Sequence, residues 1–199
     1  MKSENDNEND NENQKAPLPK RPAVSLAKYI CFAAVFTALT AVGTMIAVPL
    51  PFGYFNLGDV FLLAAAWCLG PIYGTVAAGL GSALADLFLG YTVYAPATLF
   101  IKSAVAISAY FLHRVFRSVF RRSAADFWTR ILAAILAETL MIAGYFFFES
   151  VLLGYGFGAT ASLLGNGLQA LCGALGGALL TTALRSVKRL NSLFPHLSV

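Results

Sequence analysis

The chain has 199 residues, of which 58% are hydrophobic and only 12% are charged. Water-soluble domains carry about 25% charged residues, so this composition excludes an ordinary soluble domain and predicts an integral protein of the cell membrane. The net charge of +4 does not indicate nucleic-acid binding, because the basic residues of a membrane protein are explained first by its topology. The three cysteines have no CxxC spacing, and we predict neither a metal nor another cofactor.

The chain begins with a polar segment, predicted to be a cytoplasmic tail at residues 1–22. Residues 1–14 are almost wholly Asn, Asp and Glu, so they bury nothing and are predicted to be disordered. A basic, proline-rich linker follows at residues 15–22. We predict a membrane domain over residues 23–190 and a short cytoplasmic tail over residues 191–199.

Six apolar segments follow the linker. Most are near the length of about 20 residues that crosses roughly 30 Å of hydrocarbon, although the second is short. Prolines at Pro49 and Pro51 are expected to break the first helix, and Gly70 with Pro71 is expected to turn the chain between the second and the third. The sequence therefore predicts an all-α membrane protein with six transmembrane helices, at about 26–48, 57–69, 72–89, 97–112, 128–153 and 159–184.

The basic residues predict the orientation of these helices. Of the 14 Lys and Arg residues, Lys102 alone lies well inside a predicted span. The others lie in the N-terminal region, in the loop 114–130 and in the tail from Arg185 onward. Because Lys and Arg collect in cytoplasmic loops, both termini are predicted to be cytoplasmic and the loops after spans one, three and five to lie outside.

Polar residues from five segments fall at one depth, in the outer half of the membrane, when depth is counted at 1.5 Å per residue. Glu138, Tyr145 and Glu149 share one face of the fifth helix, with Glu138 near mid-depth. Asn166 and Gln169 share a face of the sixth. Convergent polar groups in apolar surroundings are what a small-molecule site requires. The predicted substrate-binding residues are Asp86, Tyr91, Tyr94, Lys102, Glu138, Tyr145, Glu149, Asn166 and Gln169.

Several of these residues have a structural alternative. Lys102 either contacts a ligand or neutralises Asp86 or Glu149 in a buried pair, and the two roles are compatible. Tyr91 and Tyr94 either stack on a ligand or belong to the aromatic belt at the membrane surface.

Two further features of the same region have structural interpretations. Asp59 directly precedes an apolar run and is interpreted as the N-cap of the second helix. The small residues Gly74, Ala78, Ser82 and Ala85 recur on one side of the third helix, and are interpreted as a helix-packing surface.

Three stretches together resemble a known family. They are NLGDVFLLAAAWCLGPIYGTVAAGLGSALADLFLGYTVYAPATLFIK from Asn56, ETLMIAGYFFFES from Glu138 and GNGLQALCGALGG from Gly165. The chain resembles the substrate-binding S components of energy-coupling factor (ECF) vitamin transporters. It is most similar to the riboflavin-type branch, which also holds proteins assigned to hydroxymethylpyrimidine or pyridoxine-like substrates. The resemblance implies six helices, a vitamin site near the outer surface, and three partner subunits: a membrane T component and two ATPases.

The resemblance also implies a surface for the T component, formed by an AxxxA motif on the first helix. Ala34 and Ala38 match this motif. Neighbouring small residues at Ala33, Thr37 and Ala41 leave its register open.

The expected function is capture of a small heteroaromatic vitamin or precursor from outside, of the riboflavin, hydroxymethylpyrimidine or pyridoxine class. Tyr91, Tyr94 and Tyr145 would stack on its ring, and ATP hydrolysis by the partners would drive uptake. We expect no enzymatic activity, since the chain lacks a phosphate loop and the HExxH and GxSxG motifs. The alternative is an ion-coupled permease that works alone, with Glu138 and Glu149 as proton carriers.

The predicted orientation can be tested by cysteine labelling in a background without the native cysteines. Thr92→Cys and Gly156→Cys should react with an impermeant thiol reagent added to intact cells, because both loops are predicted to lie outside. Ser118→Cys should react only after the cells are opened. Labelling of Ser118→Cys from outside would overturn the orientation.

Overall fold

The computed structural model describes residues 26–50, 53–120 and 125–187, together with positions 189, 193, 194 and 196. The predicted N-terminal tail lies outside these residues, and so does most of the predicted C-terminal tail. A π-helical turn, Phe148–Leu152, continues the fourth helix, and a 3₁₀ turn, Gly156–Thr160, leads into the fifth. The elements are α1 (Leu26–Met45), β1 (Ala47–Leu50), β2 (Gly53–Asn56), α2 (Gly58–Leu89), α3 (Ala95–Val119), α4 (Ala125–Phe147) and α5 (Ala161–Ser186).

The helix α2 folds back on itself at Gly70. This residue has φ 82° and ψ −173°, which is not a helical conformation. A Cβ atom built on Gly74 would lie 2.7 Å from the carbonyl oxygen of Ala65, whereas residues nine apart in a straight helix are separated by about 13.5 Å. The 32 residues of α2 therefore form two antiparallel arms, 58–69 and 71–89, and the reversal falls where the sequence predicts a turn.

Five helices in the described part of the chain are long and apolar enough to cross a membrane, as expected for an all-α, multi-pass membrane protein. The six predicted spans count the two arms of α2 separately. At 1.5 Å per residue the first arm is about 18 Å long, so by itself it crosses only part of a hydrocarbon layer of about 30 Å.

The first arm of α2 is the centre of the bundle. Every side chain from residue 62 to residue 69 is at most 1% exposed, which is the pattern of a helix buried on all sides. Glycines on α5 allow this close packing: Cβ atoms built on Gly173 and Gly176 would lie 2.7 Å from side-chain atoms of Asp59 and Val60. Small residues at such contacts let two helix backbones approach.

The prediction of a loop at 114–130 is wrong for most of these residues. The helix α3 continues to Val119, and α4 begins at Ala125. Hydropathy detects where apolar side chains end, whereas a helix continues as long as its backbone hydrogen bonds do. Arg117 in the last turn of α3 is also favourable there, since cations are stabilised at helix C-termini.

A short β-hairpin stands where the sequence predicts only a break after the first helix. Strands β1 and β2 pair antiparallel, with Ala47 opposite Asn56 and Val48 opposite Phe55. Pro49 is tolerated because both strands of a two-stranded ribbon are edge strands. The hairpin brings the chain back to the end of α1 and delivers Asn56 to the start of α2.

The reversal in α2 predicts a strong effect of Gly70→Ala. The backbone conformation of Gly70 is essentially restricted to glycine and costs other residues about 1–3 kcal/mol, and an added Cβ would also lie 2.6 Å from the His196 ring. We expect a lower thermal unfolding temperature in detergent than for Gly90→Ala, the matched control. Gly90 also has a positive φ of 85°, but a Cβ built there would meet no atom of the described neighbouring residues within 4 Å. Equal unfolding temperatures for the two variants would contradict a packed reversal at Gly70.

Candidate functional site

A cavity of about 230 Å³ lies at one end of the bundle. Its wall includes Asn56, just before α2, and Asp86, near the end of α2. A straight helix of this length would hold its ends about 48 Å apart, so the cavity exists only because α2 folds back. All the predicted substrate-binding residues except Glu138 line it, namely Asp86, Tyr91, Tyr94, Lys102, Tyr145, Glu149, Asn166 and Gln169.

A buried ion pair forms one side of the cavity. The Lys102 Nζ lies 2.5 Å from Asp59 Oδ1, and the two side chains are 4% and 1% exposed. The predicted partners of Lys102, Asp86 and Glu149, are therefore wrong as direct partners. Lys102 pairs with Asp59 because α3 packs against the first arm of α2. The sequence does not specify that contact between helices.

The interpretation of Asp59 as an N-cap is also wrong. The residue that precedes the helix is Leu57, and it makes no side-chain capping hydrogen bond. Asp59 lies within the first turn and is 1% exposed. Its second carboxylate oxygen, Oδ2, accepts a hydrogen bond of 2.6 Å from Gln169 Nε2. Both oxygens of this buried carboxylate are thus satisfied, as a buried charge requires.

The ion pair extends into a network that joins four elements. Gln169 Oε1 accepts a hydrogen bond of 2.9 Å from Asn56 Nδ2. Asn56 Oδ1 in turn accepts a hydrogen bond of 3.0 Å from the backbone N–H of Gly58. The network therefore ties α3, α2, α5 and β2 together, and both ends of the Gln169 amide are already occupied by protein groups.

Asn166 differs from Gln169 in this respect. It lies one helical turn earlier on α5, is half-buried and lines the cavity. Within the part of the chain that the structure describes, its side-chain amide makes no hydrogen bond. Of the two predicted amides, Asn166 is the one available to a ligand.

Two tyrosines and a phenylalanine form an aromatic cluster beside the cavity. The Tyr91 and Tyr94 ring centroids are 6.3 Å apart at 80°, and Tyr94 lies 5.4 Å from Phe148 at 65°. Burial, followed by the nearby Glu149 carboxylate, raises the pKa of the Tyr94 phenol to about 12. Tyr94 therefore stays neutral at physiological pH, and its hydroxyl can donate a hydrogen bond.

Tyr145 lines the cavity from α4. Its hydroxyl donates a hydrogen bond of 3.0 Å to Thr98 Oγ1, and its ring centroid lies 5.8 Å from Lys102 Nζ. The ring thus contacts the side of the cavity that carries the ion pair.

Two carboxylates face the cavity apart from the ion pair. Asp86 is 5% exposed, and no described residue forms a hydrogen bond with its Oδ2. Glu149, on the π-helical turn after α4, is 8% exposed and accepts a hydrogen bond of 2.5 Å from Ser162 Oγ through Oε2.

Glu138 does not line the cavity, in contrast to its prediction as a substrate-binding residue. It is fully buried, and neither carboxylate oxygen has a hydrogen-bond partner within the part of the chain that the structure describes. It lies below the ion pair, where a Cβ built on Gly173 would be 3.5 Å from its Oε1. Helical spacing places it on the same side of α4 as Tyr145, but it lies close to Gly173 of α5 and not on the cavity wall.

Five of the lining residues are absent from the predicted substrate-binding set, namely Thr44, Asn56, Ser82, Thr98 and Ser162. Ser82 is interpreted from the sequence as part of a packing surface, but its Oγ is buried with no hydrogen-bond partner among the described residues and lies on the cavity wall. A signal was present: Ser82 precedes Asp86 by four residues, and Thr98 precedes Lys102 by four, so each shares a helix face with a predicted site residue.

A second charged cluster joins the helices far from the cavity. Asp126 at the start of α4 lies 2.7 Å from Arg185 Nη1 and 3.1 Å from Arg130 Nε. Its Oδ1 lies 3.2 Å from His113 Nε2. This cluster ties α3, α4 and α5 at the end of the bundle where the basic residues collect.

Long apolar helices around a polar cavity define a multi-pass membrane protein with a small-molecule site. The family model for the ECF-type riboflavin transporter S component matches residues 25–186. A protein of Pyrococcus woesei, described as "Uncharacterized protein in gap 3'region", is 32% identical over 142 residues, which cover 70% of this chain and 89% of that protein.

The chain belongs to the ECF-type riboflavin transporter S-component family. It is therefore a substrate-binding subunit of a membrane transporter, and its family is not a family of enzymes. The predicted resemblance is confirmed at the level of the family.

The buried ion pair predicts strong coupling between Lys102 and Asp59. Lys102→Met or Asp59→Asn alone leaves a buried charge without its partner, which destabilises proteins by about 3–5 kcal/mol. The double variant should lose less stability than the sum of the two single losses. Monodisperse elution first shows that each variant is folded, and the thermal unfolding temperature in detergent is then measured for all three. Lys28→Met, on the exposed surface of α1, is the control. Additive losses would show that the two residues do not form a pair.

Proposed function

We propose that this S component captures a small heteroaromatic vitamin or vitamin precursor, of the riboflavin, hydroxymethylpyrimidine or pyridoxine class. The observation that carries the proposal is one cavity with tyrosine rings and unoccupied polar groups on its wall. Tyr91, Tyr94 and Tyr145 offer aromatic surface. Asn166 and Asp86 offer hydrogen-bonding groups that the described protein residues leave unsaturated, and such groups can pair with ring nitrogens, amines and hydroxyls.

The size of the cavity favours a single ring over a three-ring flavin. Its volume of about 230 Å³ is below the range of about 300–1,000 Å³ for sites that enclose drug-sized ligands. A substituted pyrimidine or pyridine fits such a volume. A flavin with its sugar-alcohol chain would require the connection that carries Tyr91 and Tyr94 to move outward.

The distribution of charge supports a cavity that opens to the outside. The end of the bundle opposite the cavity carries the Asp126 cluster with Arg117, Arg130 and Arg185, as expected for a cytoplasmic end. Counting the two arms of α2 separately gives six membrane segments and cytoplasmic termini. In this proposal, residues 23–190 form the membrane domain and the tails at residues 1–22 and 191–199 lie in the cytoplasm.

The surface of α1 supports a contact with a T component. Ala34 and Ala38 are both exposed, whereas Ala41 of the alternative register is 7% exposed and buried against the bundle. Thr37 uses its hydroxyl on the Ala33 carbonyl. The register of Ala34 and Ala38 is thus the one that a partner helix can approach closely. Two ATPases bound to the T component would supply the energy for uptake.

Substrate binding can be tested with Asn166→Leu. Mass spectrometry of molecules that co-purify with the protein identifies ligand candidates. Calorimetric titration of the purified protein then measures the Kd for riboflavin, 4-amino-5-hydroxymethyl-2-methylpyrimidine and pyridoxine. The substitution should weaken binding by about 1–3 kcal/mol, because a ligand polar group loses its partner, which is about 5-fold to 150-fold in Kd. Leu171→Ala, on the exposed side of the same helix, should leave the Kd unchanged. No binding of any of the three compounds would contradict the proposal.

Coupling to the partners can be tested with Ala34→Trp and Ala38→Trp. Each should abolish uptake in cells that also express a T component and its ATPases, because a large side chain prevents close helix approach. Binding to the purified protein should be nearly unchanged, since α1 presents these residues away from the cavity. Leu39→Trp, also exposed on α1 but about 100° away around the helix, should retain uptake. Parallel loss of binding and uptake would show that the alanines are structural.

A further inference from the structure

Two carboxylates on the cavity wall form no ion pair with any cation in the described part of the chain. Asp86 and Glu149 come from different elements, the second arm of α2 and the turn after α4, and both line the cavity. The Oδ2 of Asp86 is buried and has no hydrogen-bond partner among the described residues. Glu149 accepts a hydrogen bond from the neutral hydroxyl of Ser162.

The one basic residue on the described cavity wall forms its direct ion pair with a different acid. Lys102 Nζ contacts Asp59 Oδ1 directly, so its charge is already matched by a third carboxylate. The other ionisable groups nearby are the phenols of Tyr91, Tyr94 and Tyr145 and the buried acid Glu138, and none of them brings positive charge. The cavity therefore has an excess of two formal negative charges when Asp86 and Glu149 are ionised.

An excess of buried negative charge favours a ligand that supplies positive charge. Carboxylates in low-dielectric surroundings are costly unless a cation or a proton balances them. Hydrogen bonds between a cation and a carboxylate are roughly twice as strong as those between neutral groups, and tyrosine rings also attract cations over their faces.

We propose that the cavity selects a single-ring heteroaromatic compound carrying an ammonium group, and that Asp86 and Glu149 recognise this charge. The inference rests on the proposed function and adds the charge of the substrate to it. Neutral rings of the same shape, and the uncharged flavin, are then weaker ligands because they leave the two carboxylates unbalanced.

Two matched pairs of compounds test the inference by calorimetric titration at neutral pH. The first pair is 4-amino-5-aminomethyl-2-methylpyrimidine and its 5-hydroxymethyl analogue, and the second is pyridoxamine and pyridoxine. In each pair an ammonium group replaces a hydroxyl on the same ring. We expect the aminomethyl compound to bind at least about tenfold more tightly in any pair that binds, because hydrogen bonds to charged groups contribute more than neutral ones.

Variants of the two acids show whether they are the cause. Asp86→Asn and Glu149→Gln keep the shape of the side chain and remove its charge, so each should reduce the preference for the ammonium compound several-fold. Glu149→Asp retains the charge and should retain a preference. Monodisperse elution identifies the variants that fold. Because Asp86→Asn and Glu149→Gln lie on different elements, the test can be completed with one of them if the other does not fold.

The outcomes separate this inference from the proposed function. If the hydroxymethyl compounds bind as tightly as the aminomethyl compounds, the charge preference is wrong and the heteroaromatic site stands. If the preference exists but survives both Asp86→Asn and Glu149→Gln, its assignment to these acids is wrong. If neither pair nor riboflavin binds at all, the proposed function falls together with this inference.

Discussion

The ion pair between Lys102 and Asp59 is the interaction on which the rest of the site depends. A lysine and an aspartate that are almost fully buried are stable only when each satisfies the other and further donors occupy the remaining oxygens. Gln169 supplies that donor and holds Asn56 in turn. Three helices and the β-hairpin are fixed relative to one another by these few polar contacts, within a bundle that otherwise packs through apolar side chains.

The fold-back of α2 gives the network its location. Because the chain reverses at Gly70, residues at both ends of α2 reach one end of the bundle, and the first arm passes through the centre. The glycines of α5 permit that passage by leaving room for Asp59 and Val60. The apolar layer around residues 62–69 then isolates the cavity from the charged cluster at the other end, so that the two ends can have different chemistry.

That difference suits a subunit that receives a substrate at one end and works with partners in the membrane. The cavity end combines tyrosine rings with acids, and the opposite end combines Asp126 with several arginines. The first helix packs against α2 on one side and presents small exposed residues on the other. Membership of the S-component family implies a subunit that binds a substrate and assembles with partner subunits, and this arrangement is compatible with both.

Local properties of the chain were sufficient to determine the membrane class, the turn at Gly70 and the convergence of polar groups at one level along the helices, because hydropathy and helical rise are set residue by residue. Only the tertiary structure decided how those groups pair. Asp59, Asp86 and Glu149 all lie at nearly one depth, and the packing of α3 against the first arm of α2 selects Asp59 for Lys102. The same packing places Glu138 below the cavity and occupies the amide of Gln169. The rise per residue gives the position of a side chain along the helix axis, but not whether the side chain points toward a particular neighbouring helix. The strength of a buried polar contact depends on that direction.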